Sequence, residues 1–266
     1  MSVAAFVPTS VETEFESPAR ESVAVLLPTY CEAENIESLI CEIQELKLNV
    51  TIVVIDDSSP DGTVNIARNL QKKYDNIHVI SRPRKLGLGN AITTAFRYLL
   101  KLRNAPDYII AMDADYSHNP KDIPRLLNPA TKGYDLVIGS RYIRGGKTVG
   151  WSLSRRLTSR IANFIATIAI GRRMGDCTSG FRCYSKDYIK QVLPNLHSQT
   201  YEIQIETLKQ AKLNGFKIRE VPITFINRKK GKSKLSGTEV LAFITYTSKS
   251  ILKRATSVKH QNQSQK

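Results

Sequence analysis

Acidic residues stand in pairs at the ends of two apolar runs. TIVVIDDSSPDG closes on Asp56 and Asp57, and YIIAMDADYSHNP closes on Asp113 and Asp115. A third run, VAVLLPTYCEAEN, ends in Pro28, Thr29 and Tyr30, with Glu32 just beyond. A carboxylate beside a buried strand is costly unless a cation or hydrogen-bond donors meet it. In Asp-x-Asp both side chains leave an extended segment on the same side. That spacing suits a divalent cation, which in turn neutralises a diphosphate. Acids in these places also cap the helices or turns that follow. Three acidic strand ends in one sheet favour a site over capping alone.

Other groups compete for a chemical role. Gly87-Leu88-Gly89-Asn90-Ala91 resembles the opening of a dinucleotide fingerprint, but its sixth position is Ile92 and it follows the third strand. A tight turn, or close packing of helix on strand, accounts for these glycines better. Arg228 to Lys234 holds five basic residues in seven positions, with Gly231 and Ser233 between them. Such a loop can be mobile when empty and ordered over a diphosphate; it also suits a solvated or membrane-facing surface. Cys31, Cys41, Cys177 and Cys183 lack metal-ligand spacing and read as free thiols in a reducing compartment.

The elements that must position these groups follow from the hydrophobic pattern. Val23–Leu27, Thr51–Ile55, Ile77–Ile80, Tyr108–Met112 and Asp135–Ile138 are apolar, β-branched and barely alternating, as strands covered on both faces are. Helical patterns over 33–48, 61–74, 88–103 and 120–128 separate them. The alternation predicts an α/β fold, a mostly parallel sheet with helices on both faces. Ligands then bind beyond the carboxyl ends of the strands, where the acids are. Past residue 140 come a basic, Gly-containing loop to Gly150 and an apolar helix over 153–170, then a loop over 171–182. A helix near 201–214, an extended segment Phe216–Ile226 and a last helix near 238–253 follow.

With 39 Lys and Arg against 24 Asp and Glu, the formal charge is +15. That excess calls for a polyanionic partner: nucleic acid, an anionic membrane or phosphorylated substrates. No nucleic-acid module is visible, and aromatic residues are not interleaved with basic ones as stacking platforms, so no nucleic-acid partner is expected. A sugar-phosphate nucleotidyltransferase would want a Gly-rich first strand–helix loop, and PTYCEAEN has no glycine. No run reaches the roughly 20 apolar residues of a membrane span.

Read in order, LLPTYCEAENI, VVIDDSSPDGT, KLGLGNA, MDADYSHNP, GSRY, GWSLSRRLTSRIAN, DCTSGFR and NRKKGKSKL resemble the dolichyl-phosphate (polyprenyl-phosphate) mannosyltransferases of glycosyltransferase family 2. The resemblance covers about residues 23–240 and implies a GT-A, Rossmann-like fold. It implies transfer of mannose from GDP-mannose to dolichyl or polyprenyl phosphate, by metal-assisted direct displacement with inversion. Pro28, Tyr30, Glu32, Ile55 and Asp57 would line the donor nucleotide. Asp113 and Asp115 would hold Mg2+ or Mn2+ against the diphosphate, with Ala114 touching the sugar nucleotide. Some relatives have a Gln as third ligand where this chain has Ser117. Arg141, Arg228 and Lys234 would clamp the phosphates of donor and acceptor. Arg155 and Ser159 would bind the lipid phosphate. A phosphate monoester, with its second pKa near 6, needs no strong base, so His118 and His197 receive no such role.

A lipid acceptor requires a membrane surface. Leu153–Ile170 and Thr238–Leu252 each join an apolar face to basic residues near their ends, as interfacial helices do. The expected division is a disordered arm over 1–22, the GT-A domain over 23–236, a C-terminal amphipathic helix over 237–256 and a disordered tail over 257–266. The protein is expected on the cytoplasmic face of a membrane, peripheral, with a small membrane anchoring subunit as a candidate partner. The base pocket leaves a UDP-glucose-dependent polyprenyl-phosphate glucosyltransferase open as the alternative.

Overall fold

A computed structural model describes residues 21–228 and 237–263. Its seven-stranded sheet has the order β3-β2-β1-β4-β7-β5-β8. β1 (Val23–Thr29), β2 (Val50–Asp56), β3 (Ile77–Ser81), β4 (Tyr108–Ala111), β5 (Leu136–Ser140) and β8 (Ile218–Pro222) run parallel, and β7 (Arg182–Ser185) is antiparallel to β4 and β5. The strand order reverses beside β1, and a crevice opens there at the carboxyl ends of β1 and β4.

Alternate strand residues feed two cores. Ala24, Leu26, Val53 and Ile55 face one side, beneath α3 (Leu88–Leu100), α5 (Leu153–Ile170), α6 (Lys186–Val192) and α7 (Ile203–Leu213). Val25, Leu27, Ile52 and Val54 face the other, beneath α1 (Ile36–Glu45), α2 (Thr63–Lys73) and α4 (Ile123–Ala130). Burial on both faces explains why these strands lack polar alternation.

The expected strands and main helices are present, with boundaries shifted by a few residues. The fifth strand runs Leu136–Ser140, against the expected 135–138. Three elements were missing from the sequence reading. α6 and β7 lie just past the loop expected over 171–182. β6 (Lys147–Val149) lies inside the stretch taken as a basic loop and pairs in parallel with β9 (Thr224–Ile226). Strands of three or four residues carry too little pattern to detect.

The ends also differ. Ser22, placed in the expected arm, is fixed: its backbone N–H and hydroxyl both donate to Asp107 Oδ2, at 3.1 and 3.0 Å. The last helix, α8, runs Gly237–Gln263 and so enters the tail expected to be disordered. Residues 251–263 contain no Gly or Pro to stop a helix; polar composition alone does not end one. Among the described residues no helix is long and apolar enough to cross a membrane. None of the four cysteines forms a disulfide.

Candidate active site

A cavity of about 640 Å³ opens at the crevice. Pro28, Tyr30, Glu32, Ile55, Asp57, Asp113, Ala114, Asp115, Arg141, Arg155, Ser159 and Arg228 all line it. Ser117 lies buried behind Asp115 rather than in the wall, and Lys234 falls outside the described residues.

At one end the two acids after β2 have separate tasks. Asp56 is fully buried and accepts hydrogen bonds from Thr29 Oγ1 (3.1 Å), which ties β1 to β2, and from Ser59 N (2.9 Å) and Ser59 Oγ (2.5 Å) in the loop that follows. Asp57 reaches the cavity, pairs closely with Arg82, and accepts from Leu86 N at 3.0 Å and Gly87 N at 3.3 Å. Lys85 Nζ stands 4.7 Å from the centre of the Tyr30 ring. Glu32 accepts from Asn35 Nδ2 at 2.9 Å.

Gly87 and Gly89 serve packing. A Cβ on Gly89 would lie 2.3 Å from Ser198 O, and one on Gly87 would lie 2.5 Å from Gln199 O. Both obstacles are backbone, which cannot swing aside. Gly89→Ala is therefore expected to destabilise the fold by about 1–3 kcal/mol, as overpacking does. The urea midpoint reads this directly, and an unchanged midpoint would refute the packing account.

The carboxylate pair after β4 stands at the middle of the cavity. Asp115 accepts from Ser117 N at 3.0 Å and meets Arg228 Nη2 at 3.0 Å. Burial pushes the Asp115 carboxyl up, but Ser117 and Arg228 outweigh it and hold it below its usual value. Asp113 differs. Its carboxylate faces the cavity, receives no hydrogen bond from the described residues, and has only His118 Nδ1 nearby at 3.8 Å. Withdrawal from water pushes its pKa up, and the adjacent Asp115 charge adds to it. A carboxylate without donors, beside a second one, suits a divalent cation. The buried Ser117 hydroxyl, which has no hydrogen-bond partner among the described residues, fits as well. Among the described residues no third His, Cys, Asp or Glu completes a cluster, so oxygens of a diphosphate would fill the remaining positions.

His118 is a wall and a prop. It is 1% exposed, stacks on Phe181 at 4.9 Å and meets Phe225 edge-on at 5.4 Å. Nδ1 accepts the Asp113 backbone N–H at 3.0 Å, and burial pushes the imidazole pKa down. The ring is thus neutral, with its proton on Nε2. His197 does not line the cavity.

Three arginines converge at the far end. Arg141 is clamped by buried Asp176 through Nε–Oδ2 and Nη2–Oδ1 bonds, both 2.7 Å, and donates to Thr178 Oγ1 at 2.7 Å. Its guanidinium lies 5.3–5.5 Å from the rings of Tyr142, Trp151 and Phe225. Arg155 lies 4.3 Å over Trp151 and donates to Asn227 Oδ1 at 2.7 Å. Burial, then the nearby charges of Arg228 and Arg141, push the Arg155 pKa down. Such crowding of like charge is relieved by an anion.

Beyond the arginines the cavity passes between α5 and α8, where Thr158, Ala162, Val240 and Phe243 form its walls. α5 turns Asn163, Ala166, Ala169 and Ile170 inward. It leaves Leu153, Leu157, Ile161, Phe164 and Ile168 on its outer face, Leu153 at 82% and Phe164 at 67% exposure. α8 exposes Val240, Leu241, Ile244 and Leu252. Neither helix buries its whole apolar surface against the domain, so core packing alone does not account for them.

Sequence pattern assigns no role to Arg82, Lys85, Trp151, Asp176 or Phe225. Asp176 had a signal, as the one acid of the DCTSGFR block. The aromatic residues had none, since nothing local marks a ring that stacks on a distant arginine.

Comparison with known proteins gives a consistent result. Residues 24–193 match the profile of glycosyl transferase family 2. The polyprenol monophosphomannose synthase of Mycolicibacterium smegmatis is 38% identical over 218 residues, covering 81% of this chain and 82% of that protein. The undecaprenyl-phosphate mannosyltransferase of Micrococcus luteus is 38% identical over 217 residues, covering 81% and 88%. Among solved structures, the glucosyl-3-phosphoglycerate synthase of Mycobacterium tuberculosis in complex with Mn2+, uridine diphosphate and phosphoglyceric acid has a TM-score of 0.64. It shares 21% identity, over 88% of this chain and 78% of that one, a likeness of fold.

Proposed function

The chain belongs to glycosyltransferase family 2, and we propose that it transfers mannose from GDP-mannose to a polyprenyl phosphate such as dolichyl phosphate, with inversion, at the cytoplasmic face of a membrane. One observation carries this reading: a single cavity runs from Asp57 and Tyr30, past Asp113 and Asp115, to Arg155 and Ser159 between two helices with exposed apolar faces. That order of groups suits a nucleotide, then a diphosphate, then a second phosphate on a lipid. The polyprenyl phosphates named for both relatives agree with it.

Pro28, Tyr30, Glu32, Ile55 and Asp57 hold the nucleoside, Arg82 fixing Asp57 in place. Asp113 and Asp115 hold Mg2+ or Mn2+, with Ala114 against the sugar nucleotide; the fold neighbour was solved with Mn2+. When bound, the ion supplies charge neutralisation to the leaving diphosphate. Arg228 and Lys234 add to that charge from the basic loop. Arg141, Arg155 and Ser159 hold the acceptor phosphate. An acceptor oxygen attacks the anomeric carbon as the bond to the diphosphate breaks. The phosphate is largely dianionic near neutral pH, so no protein base is required, in keeping with a buried, neutral His118. The aromatic walls exclude water that would otherwise compete as nucleophile.

The testing experiment offers purified protein, polyprenyl phosphate, Mg2+ and membranes with radiolabelled GDP-mannose or UDP-glucose. Labelled lipid from GDP-mannose is expected. Label from UDP-glucose instead would reassign the donor, and label from neither, in a folded sample, would sink the reading.

The outer faces of α5 and α8 rest on the bilayer in this account, flanked by exposed Arg156 and Arg160, and a small anchoring subunit would add to their hold. Leu157→Asp and Phe164→Asp are each expected to weaken partition onto anionic vesicles about tenfold. Transfer to a short, water-soluble acceptor phosphate should persist. Unchanged sedimentation with vesicles would remove α5 from the membrane face.

A further inference from the structure

Hydroxyl groups along α5 divide into two kinds. Thr158 Oγ1 donates back to Ser154 O at 3.0 Å and Thr167 Oγ1 to Asn163 O at 2.9 Å, the ordinary use of a helical hydroxyl. Ser159 does not turn back. Its Oγ lies 2.7 Å from Tyr142 OH, and the tyrosine is the donor. No other contact of this hydroxyl exists among the described residues. A serine hydroxyl has one proton and two lone pairs. With one lone pair taken by Tyr142, the proton is left uncommitted on a residue that lines the cavity.

Tyr142 is itself held in place. It follows Arg141, whose guanidinium is fixed by Asp176 and lies 5.3 Å from the Tyr142 ring. The opposite partner is fixed too: Asn163 Nδ2 donates to Ser159 O and to Thr178 Oγ1, both at 3.0 Å, and Asn163 Oδ1 accepts from Cys177 N at 2.7 Å. One short loop after β5 therefore delivers two things to the same end of the cavity, the Arg141 charge and, through Tyr142, the orientation of the Ser159 proton.

We infer that Tyr142 is a positioning residue that makes Ser159 a dedicated hydrogen-bond donor to an anionic oxygen of the acceptor phosphate. The inference rests on the functional reading above. An oxygen that can only accept, as on a phosphate dianion, needs the proton that Ser159 still has to offer. Without the tyrosine hydroxyl, Ser159 is free to bond the Arg155 carbonyl one turn back, and that donor is lost to the substrate.

The test is a double-mutant cycle of Tyr142→Phe and Ser159→Ala, with polyprenyl phosphate as varied substrate. Tyr142→Phe keeps the ring beside Arg141 and removes only the hydroxyl. Each single variant is expected to raise the acceptor KM about tenfold, the scale of one hydrogen bond to a charged group. The donor KM and the thermal midpoint should stay at wild-type values, which a general loss of packing would not allow. The double variant should be no worse than Ser159→Ala alone, because Tyr142 acts only through Ser159. A wild-type acceptor KM in Tyr142→Phe, or two effects that multiply, overturns the inference. Wild-type protein that labels no polyprenyl phosphate ends the parent reading instead, before any variant is compared.

Discussion

Asp115→Ala is expected to lower transfer by on the order of a thousandfold, about 4 kcal/mol of transition-state stabilisation, while leaving the protein folded. The carboxylate has two partners, Ser117 N and Arg228. Removing it relieves the repulsion that helps to push the Asp113 carboxyl up. Nothing in the core depends on it. Far-UV circular dichroism and the thermal midpoint should therefore match wild type, and added Mn2+ should no longer raise the midpoint. Asp56→Ala makes the control, since that acid holds β1 to β2 and its loss should appear in stability. Near-normal transfer by Asp115→Ala would remove the carboxylate pair from the mechanism.

Arg141→Ala should damage both stability and transfer. The guanidinium is the sole cation bonded to Asp176 among the described residues, and Asp176 is fully buried. Breaking one side of a buried pair costs about 3–5 kcal/mol, because the other charge is left without compensation. For a chain of this size the thermal midpoint should fall by on the order of 10 °C. Arg141→Leu with Asp176→Asn should recover most of that loss and none of the activity, which separates support of the fold from contact with phosphate. A midpoint within a degree or two of wild type in Arg141→Ala would refute the account. The pair also has a pH signature. Burial alone would raise the Asp176 pKa, but Arg141 outweighs it and holds the carboxyl below its ordinary value. A depressed folded pKa means the contribution is present above the unfolded value near 3.9 and is lost as pH falls through the folded one.

The part of the site that could be read from sequence is the part built from single strands. β1, β2 and β4 are uninterrupted apolar runs, and the acids follow directly, so periodicity alone located Asp57, Asp113 and Asp115. Arg155 and Ser159 follow only from the family resemblance, on a helix whose bounds match at both ends. Partnerships were hidden. Asp176 and Arg141 are 35 residues apart, Arg155 and Asn227 72 apart, and no local signal links them. Short elements were hidden for a related reason: β7 exists because β4 and β5 pair with it, not because Arg-Cys-Tyr-Ser favours a strand. Gly89 reads from sequence as a turn or packing glycine, but the obstacle behind it, the 198–199 backbone, is visible only in three dimensions.

The position of β7 bears on how the chain is made. β4 and β5 are consecutive in the parallel series yet never pair; residues 182–185 stand between them. On the ribosome, β1 to β4 can assemble as they emerge, because each finds a neighbour already synthesised. The far edge of β4 then stays open until β7 arrives, some seventy residues later on the scale of ordinary chain synthesis. An open edge of backbone donors and acceptors invites pairing with other chains. The strand that leads into the two cavity carboxylates thus has an edge exposed to aggregation during translation. The loop bearing Asp176 leads directly into β7, so the clamp on Arg141 and the cover for that edge arrive together.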